Sequence, residues 1–315
     1  MRRPGDCGVC EPMEAIGNTP LVELKNLSPK PGVRLFAKLE GCNPSGSIKD
    51  RVVAGLIADL ERSGKLQPGG TVVEASSGNT AIALGMVARR KGYNAHVVIP
   101  RGVPESICDT LDLFGVRIHW CEPLAGMRGA ITAAHELAAK LGGVALNQFE
   151  SQTNIEVHRT TTGAEILHDL PGITSFVAGI GTGGTIAGVG RALKAHDPAI
   201  RVVGVEPKMG ERLQGLTALE DHFEAPLFDL ELLDRRLLVD AATSLENMRR
   251  IVRAEGIMGG VSAGAVLHAG LREAERVDEG QIVMMFSDSG WKYLPARPWD
   301  AANRRDESLD EVHWW

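Results

Sequence analysis

The feature that most constrains the fold is a regular alternation of short apolar runs with longer amphipathic stretches. The apolar runs predict strands at residues 34–39, 71–74, 95–99, 117–120, 175–180, 202–205 and 282–286. The other stretches predict helices at residues 48–62, 80–91, 105–113, 129–141, 185–195, 244–255 and 263–276. Strands that alternate with helices in this way are typical of parallel sheets covered on both faces. The sequence therefore predicts an α/β fold.

Composition and charge narrow the range of partners. The 315 residues are enough for a core divided between two lobes. A formal net charge of −6 and an aromatic content of 4% argue against nucleic-acid and anionic-membrane partners. The longest uncharged stretch, residues 170–190, holds seven glycines and a proline, so we interpret it as a strand, a glycine loop and a helix start rather than a membrane span.

The cysteines indicate the compartment. There are five, scattered along the chain, which fits a reducing environment and predicts a cytoplasmic location. Cys7 and Cys10 form a single CxxC pair, which is half of a zinc site or a redox pair without its fold. We interpret the pair as part of an ordinary terminal segment, and we expect no metal.

Lys49 lies in a Pro/Ser/Gly turn at the start of the helix predicted from residue 48. Apolar residues spaced four apart, Ile48, Val52, Leu56 and Leu60, give that helix one buried face. A lysine held at a helix start can form a Schiff base with an aldehyde cofactor. An exposed lysine in a first turn is the alternative on spacing alone.

Two further motifs place small polar residues at helix starts. Ser76-Ser77-Gly78-Asn79-Thr80 follows a predicted strand, and Gly260-Val261-Ser262-Ala263-Gly264 opens the last predicted helix. Free N–H groups and the positive end of the helix dipole suit a carboxylate or a phosphate. Helix capping is the alternative interpretation of both motifs, because Ser, Asn and Thr are preferred caps.

A glycine-rich loop, Gly179-Ile180-Gly181-Thr182-Gly183-Gly184-Thr185, follows another predicted strand. Consecutive N–H groups in such a loop can cradle a phosphate. The loop also matches G-x-G-x-x-G, and Glu206 follows it at the end of the next strand. An NAD(P)-dependent oxidoreductase is therefore a second interpretation. That interpretation gives no role to Lys49 or to the Ser76–Thr80 loop.

Together these motifs resemble those of fold-type II pyridoxal-phosphate enzymes, and specifically the cysteine synthase (O-acetylserine sulfhydrylase) family. The resemblance extends over about residues 13–294 and includes the segments at 16–21, 38–40, 148–149 and 290–294. It implies two lobes like those of the tryptophan synthase β subunit, each a mostly parallel sheet flanked by helices. Residues 12–42 and 150–297 would form a large lobe that binds the cofactor phosphate. Residues 43–149 would form a small mobile lobe, with 1–11 and 298–315 as terminal extensions.

The resemblance also implies a role for each motif. Lys49 matches the Schiff-base lysine, Asn79 the asparagine that binds the cofactor's 3′-oxygen, and Ser262 the serine facing the pyridine nitrogen. The phosphate cradle matches Gly181, Thr182, Gly183, Gly184 and Thr185. The loop that grips the substrate carboxylate matches Ser76, Ser77, Gly78, Asn79 and Thr80, with Gln148 beside it.

The implied reaction is β-replacement of an O-activated L-serine by sulfide or another sulfur donor, through an aminoacrylate. Segments 263–269 and 290–293 resemble the cysteine synthase B branch, which uses O-phosphoserine. That branch has an arginine where this chain has Thr217, so we expect O-acetylserine, or another serine with an uncharged β-substituent, to be preferred over O-phosphoserine, unless Arg212 substitutes.

Related reactions stay open, namely those of cystathionine β-synthase, diaminopropionate synthase and serine dehydratase. A non-catalytic scaffold that binds serine acetyltransferase is another alternative. The resemblance further implies a homodimer, and a sulfur-carrier protein is an additional candidate partner.

Overall fold

The computed structural model describes residues 11–76, 78–100, 103–121, 126–211, 213–217, 227, 229–295 and 297–298. Its strands are β1 (Leu21–Glu23), β2 (Val33–Leu39), β3 (Thr71–Ala75), β4 (Asn94–Pro100), β5 (Arg117–Cys121), β6 (Val144–Ala145), β7 (Ser175–Gly179), β8 (Arg201–Pro207), β9 (Arg235–Val239) and β10 (Gly280–Phe286). Its α-helices are α1 (Lys49–Arg62), α2 (Asn79–Lys91), α3 (Glu105–Leu113), α4 (Gly126–Lys140), α5 (Gln152–Val157), α6 (Gly163–Asp169), α7 (Gly184–His196), α8 (Ala241–Glu255) and α9 (Val261–Ala274). Among these residues no helix has both the length and the apolar character that crossing a bilayer requires.

The described strands form two separate sheets. One has six strands in the order β1-β2-β10-β7-β8-β9, and the other has four in the order β5-β4-β3-β6. Every neighbouring pair is parallel except β1 with β2. The predicted α/β fold with mostly parallel sheets is therefore confirmed.

Each sheet is buried on both faces. In the six-stranded sheet, Phe176 packs into one apolar cluster and its neighbour Val177 into another. In the four-stranded sheet, Val72 and Val73 are divided between two further clusters in the same way. Because successive strand residues point to opposite faces, these clusters lie above and below each sheet. This double burial explains why the strands read as continuous apolar runs.

Local sequence sets the helix ends. The N-cap of α8 is Asp240, whose side chain accepts a hydrogen bond from the Thr243 N–H at 2.8 Å. Gly92 ends α2 in the left-handed conformation, with φ of 77°. The last turn of α2 holds Arg89, Arg90 and Lys91, which suit the negative end of the helix dipole.

Every predicted strand and helix is present, with its ends shifted by up to three residues. Several further elements were not predicted. The missed strands are the short β1 and β6 and the edge strand β9. The missed helical segment runs from α5 to α6 through a π-helical turn at His158–Thr162. The terminal extensions, including Cys7 and Cys10, fall almost entirely outside the described residues. The lobe boundaries at residues 43 and 149 stay a prediction.

Candidate active site

A cleft lies at the carboxyl ends of β7 and β10, beside the starts of α1 and α2. Its lining residues are Ile48, Lys49, Asn79, Gly179, Gly181, Thr182, Gly183, Thr185, Gln214, Gly215, Leu216, Ser262, Ser287 and Asp288. Ligands of open α/β sheets bind at such strand ends. The structure therefore brings the lysine, the asparagine, the glycine loop and the serine of four separate motifs into one cleft.

Lys49 is the first residue of α1, and the turn before it is fastened to the end of β10. The Ile48 N–H donates to the Ser287 carbonyl at 2.8 Å, and Ser47 pairs with Asp288 in an isolated bridge. Burial lowers the pKa of the Lys49 amine to about 8, although the carboxylates of Glu74 and Asp288 oppose that shift. A lysine with this pKa is partly neutral at physiological pH, as a nucleophile or base must be.

Three helices that meet at the cleft begin with a glycine N-cap: Gly78 for α2, Gly183 for α7 and Gly260 for α9. None of these starts has a side-chain cap, whereas α5 and α8 are capped by Ser151 and Asp240. Helix starts of this kind leave first-turn N–H groups as donors that a ligand can use, although the Gly184 N–H already donates to the Thr182 hydroxyl at 3.4 Å. The capping interpretation of Ser262 is thus wrong, because α9 already begins at Val261.

The glycine loop is shaped by close backbone contacts. Gly183 has φ of 84°, a left-handed conformation that favours glycine. A Cβ on Gly181 would lie 2.7 Å from the Gly215 carbonyl oxygen. Thr182 accepts a hydrogen bond from Asn154 at 3.2 Å, and the Thr185 hydroxyl lies 3.2 Å from His158 Nε2. The loop is a preformed cradle supported by two buried polar side chains.

His158 is fully buried, and burial lowers its pKa well below the ordinary value. Its other ring nitrogen lies 3.0 Å from the Thr162 hydroxyl. A neutral imidazole has one donor and one acceptor nitrogen, so it can order both hydroxyls. His158 lies on the missed π-helical turn, and the sequence carried no signal for its position beside the cradle.

The predicted carboxylate loop is held next to the cleft. Ser76 and Thr80 are buried, and the Thr80 hydroxyl donates to Gln148 Oε1 at 2.7 Å. Ser77 lies outside the described residues. Among the described members of this predicted set, Asn79 lines the cleft, whereas Ser76, Gly78, Thr80 and Gln148 are not among its lining residues.

Two acidic residues of the site were missed from the sequence. Glu74 is the penultimate residue of β3 and accepts hydrogen bonds from the N–H groups of Ala75 and Gln148, at 2.8 and 3.2 Å. Burial raises its pKa to about 7, against those hydrogen bonds. Asp288 follows β10 and is 3% exposed. The sequence did offer one indication of Asp288, because this residue follows a predicted parallel strand, where ligands of such sheets bind.

Lys292 and Tyr293 complete the site around Asn79. The Asn79 Nδ2 donates to Asp288 Oδ2 at 2.9 Å, and Lys292 donates to Asn79 Oδ1. The Tyr293 hydroxyl also donates to Asp288 Oδ2. The sequence analysis assigns neither residue a role, because both enter it only through the 290–294 segment of the family resemblance.

Comparisons with known proteins identify the family. Residues 13–288 match the family described as "Pyridoxal-phosphate dependent enzyme". Cysteine synthase of Staphylococcus aureus is 37% identical over 291 residues, covering 89% of this chain and 94% of that protein. Cysteine synthase B of Escherichia coli is 36% identical over 282 residues, covering 89% and 93%.

The chain belongs to the pyridoxal-phosphate-dependent cysteine synthase family. Among solved structures, O-ureido-L-serine synthase superposes with a TM-score of 0.89 at 33% identity, covering 96% of this chain and 99% of that one. Cysteine synthase from Entamoeba histolytica gives 0.87 at 29% identity, covering 99% and 97%. The family uses pyridoxal phosphate, so the dinucleotide interpretation is wrong. Glu206, which imitated its acidic residue, is instead buried against Arg236 at 2.8 Å.

The residues present fit that cofactor. The cradle around Gly181 and Gly183 has the uncapped N–H groups that a phosphate needs. Lys49 faces the same cleft, and no described residue forms a hydrogen bond with its side-chain amine. Ser262 supplies a neutral hydroxyl at the start of α9. One cleft therefore offers a cradle for the cofactor's phosphate, an amine for its aldehyde and a hydroxyl for its pyridine ring.

Proposed function

We propose that this chain is a cysteine synthase that replaces the O-linked β-substituent of an activated L-serine with a sulfur nucleophile. The observation that carries the proposal is the convergence of Lys49, the glycine cradle and Ser262 on one cleft. The identity of 36–37% to named cysteine synthases over most of the chain supports the same reaction.

Lys49 is proposed to hold the cofactor and to move the substrate's α-proton. When bound, pyridoxal phosphate supplies an electron sink for the α-carbon of an amino acid. The Lys49 amine, with its pKa near 8, suits removal of the α-proton and its later return. Burial, which lowers this pKa, is therefore part of the proposed catalytic design.

Ser262 is proposed to tune the cofactor through the absence of a charge. A hydroxyl cannot hold a pyridine nitrogen protonated as a carboxylate would. A weaker electron sink disfavours transamination and favours loss of the β-substituent. The exposed fraction of Ser262 is 7%, so bulk water has little access to this position.

The start of α2 is proposed to bind the substrate carboxylate. Gly78 and Asn79 lie at this helix start, which has no side-chain cap, and the hydrogen bond from Thr80 to Gln148 supports the loop. The cleft takes residues from connections of both sheets, which share no strand. We propose that substrate bridging the two sides draws them together and excludes water from the reacting atoms.

We propose that the β-substituent of the substrate carries no charge before it leaves. Thr217, which stands where the O-phosphoserine-using branch has an arginine, follows cleft-lining Gly215 and Leu216. Its N–H donates to the Ile180 carbonyl at 2.8 Å, which fixes it beside the cradle. A threonine cannot neutralise a phosphate dianion as a bidentate guanidinium does. Arg212, the alternative cation, lies outside the described residues.

The proposed assembly and location follow the family. We propose a homodimer, with serine acetyltransferase or a sulfur-carrier protein as further partners. A cytoplasmic location is proposed because the five cysteines are few and scattered, and the three described ones are free thiols.

The deciding experiment is an absorption spectrum of the purified protein, recorded before and after adding O-acetylserine or O-phosphoserine. A yellow protein whose spectrum changes with O-acetylserine and recovers with sulfide would support the proposal. Lys49→Ala is the control, because it keeps the cradle but lacks the reactive amine. A wild-type spectrum that responds to neither donor would contradict a β-replacement function.

A further inference from the structure

Both polar atoms of the Asn79 side-chain amide form hydrogen bonds with charged residues. Its Nδ2 donates to Asp288 Oδ2 at 2.9 Å, and its Oδ1 accepts a hydrogen bond from Lys292. Lys292 lies 3.7 Å from Asp288, with side chains 15% and 3% exposed. The amide therefore sits between a cation and an anion that are both largely shielded from water.

The chemistry of the two partners permits one amide orientation. A lysine ammonium only donates, and an ionised aspartate only accepts. Rotating the amide by 180° would set its NH2 group against Lys292 and its carbonyl oxygen against Asp288. Two charge-assisted hydrogen bonds would become two repulsive contacts. The orientation with the NH2 group toward Asp288 is thus strongly favoured.

Asp288 is itself fixed in the accepting role. The Tyr293 hydroxyl donates to the same Oδ2 atom. Burial and the neighbouring Asp288 charge raise the Tyr293 pKa well above its ordinary value, so the phenol keeps its proton. The Asp288 carbonyl also accepts from the Gly260 N–H at 3.0 Å, which anchors the residue beside α9.

We propose that Lys292 is a positioning residue that sets the Asn79 amide so that its NH2 group, rather than its carbonyl, is available to an anionic oxygen in the cleft. An NH2 group has two N–H bonds, so it can keep Asp288 while donating to a ligand. The inference rests on the proposed function and on the role that the family resemblance implies for Asn79, binding of the cofactor's 3′-oxygen. It assigns a purpose to a residue outside the cleft lining.

A double-mutant cycle on cofactor affinity tests this role. The apoproteins of wild type, Lys292→Met, Asn79→Ala and the double variant are titrated with pyridoxal phosphate, and binding is followed by absorbance. Lys292→Met is expected to weaken binding by at least about tenfold, the value of one charge-assisted hydrogen bond. In the Asn79→Ala background the same change should have almost no effect.

Conservative and reversed variants sharpen the result. Lys292→Arg, which still only donates, should keep the affinity within about threefold of wild type. Lys292→Glu should weaken binding more than Lys292→Met, because it favours the wrong amide orientation. Lys91→Met is the control, since Lys91 ion-pairs with Glu61 at the opposite end of α2. Should Lys292→Met not fold, Lys292→Gln takes its place in the cycle.

The outcomes separate this inference from the proposed function. If Lys292→Met weakens binding equally with and without Asn79, Lys292 acts as a general positive charge and the positioning role is refuted. If Lys292→Met binds like wild type, the role is refuted as well. If wild type itself does not bind pyridoxal phosphate, the proposed function fails first, independently of Lys292.

Discussion

The guanidinium of Arg51 donates two hydrogen bonds to the carboxylate of Glu165, at 2.6 and 2.7 Å, with both side chains nearly closed to solvent. Arg51 also contacts Glu40 at 2.7 and 2.9 Å, and Glu40 is fully buried. Lys38 adds a second cation 2.8 Å from Glu165. Arg51 lies in the first turn of α1, two residues after Lys49, so a buried ionic cluster ties this turn to the end of β2 and to α6.

Removing Arg51 should be costly. Arg51→Met leaves two buried carboxylates without their main cation, which is expected to lower the free energy of unfolding by roughly 3–5 kcal/mol at pH 7. Urea denaturation measures the change. Arg159→Met is the control, because Arg159 pairs with Glu156 on the surface and should lose no more than about 1 kcal/mol.

The same cluster predicts the acid behaviour of the fold. Burial raises the Glu165 pKa, but hydrogen bonds and charge from Arg51 and Lys38 outweigh it and lower the pKa from 4.5 to about 2. A carboxyl whose pKa is lower in the folded state stabilises the fold at pH values above its unfolded-state pKa. That stabilisation is lost as the pH falls through the folded-state pKa. Wild type should therefore lose stability between about pH 4.5 and 2, and Arg51→Met should lose less over that window.

Capture of the cofactor by Lys49 should follow the titration of its amine. Only the neutral amine attacks an aldehyde, so the rate should rise about tenfold per pH unit below the pKa of about 8 and level off above it. Stopped-flow absorbance of the apoprotein with pyridoxal phosphate measures this. Glu74→Gln should move the midpoint down, because the Glu74 carboxylate opposes the lowering. A rate still climbing at pH 10 would contradict the assignment.

Gly184→Ala should damage the cradle. The added Cβ would lie 2.1 Å from Asn154 Oδ1, so the buried Asn154 must move. That movement breaks its hydrogen bonds to the Gln148 carbonyl, at 2.8 Å, and to Thr182, at 3.2 Å. We expect a loss of about 1–3 kcal/mol in the free energy of unfolding and weaker cofactor binding. An unchanged affinity would argue that Asn154 is not a support of the cradle.

Thr217→Arg should shift the choice of substrate. A guanidinium beside the cradle adds a bidentate partner for a phosphate leaving group. The ratio of kcat/KM for O-phosphoserine to that for O-acetylserine should rise about tenfold or more, the value of one charge-assisted contact. Thr217→Gln is the control of similar reach without charge. Equal ratios in wild type and Thr217→Arg would remove the leaving-group hypothesis.

Ser262→Asp should slow turnover while the cofactor stays bound. The carboxylate would hold the pyridine nitrogen protonated and strengthen the electron sink. Turnover with O-acetylserine and the absorbance of bound cofactor are the two measurements. Ser262→Ala, which adds no charge, is the control. Wild-type turnover in Ser262→Asp would refute the electronic role.

The sequence predicted the parts of the fold with strong periodicity. The strands buried on both faces and the amphipathic helices α1 and α8 were found because burial imposes a pattern on every residue of the element. The segment from α5 to α6 was missed for two reasons. Residues 160–162 are three threonines, which are weak helix formers, and the π-helical turn breaks the 3.6-residue period. β6 has two residues, too few for any pattern.

Residues in or beside the cleft were anticipated where several residues form a motif and were missed where a single residue is involved. Lys49, Asn79 and Ser262 each lie in a run of small residues at a helix start. Glu74 and Asp288 are single acidic residues, one next to the last residue of a strand and one just after a strand. Only the folded chain shows that both are buried beside Lys49. The place of Asp288 in the cleft depends on contacts between distant residues, such as its hydrogen bond from Asn79, which lies more than 200 positions earlier.

The strand β9, at the edge of the described six-stranded sheet, is held to the rest of the fold by ion pairs as well as by backbone hydrogen bonds. Arg235 and Arg236 ion-pair at 2.8 Å with Glu273 and Glu206, two buried glutamates. An edge strand has ladder hydrogen bonds on one side only, so it is the strand of a sheet that can detach most easily. Detaching β9 would leave the buried Glu206 and Glu273 carboxylates without these cations, which is unfavourable. The two ion pairs therefore hold the sheet together at a strand whose backbone is paired with β8 alone among the described strands.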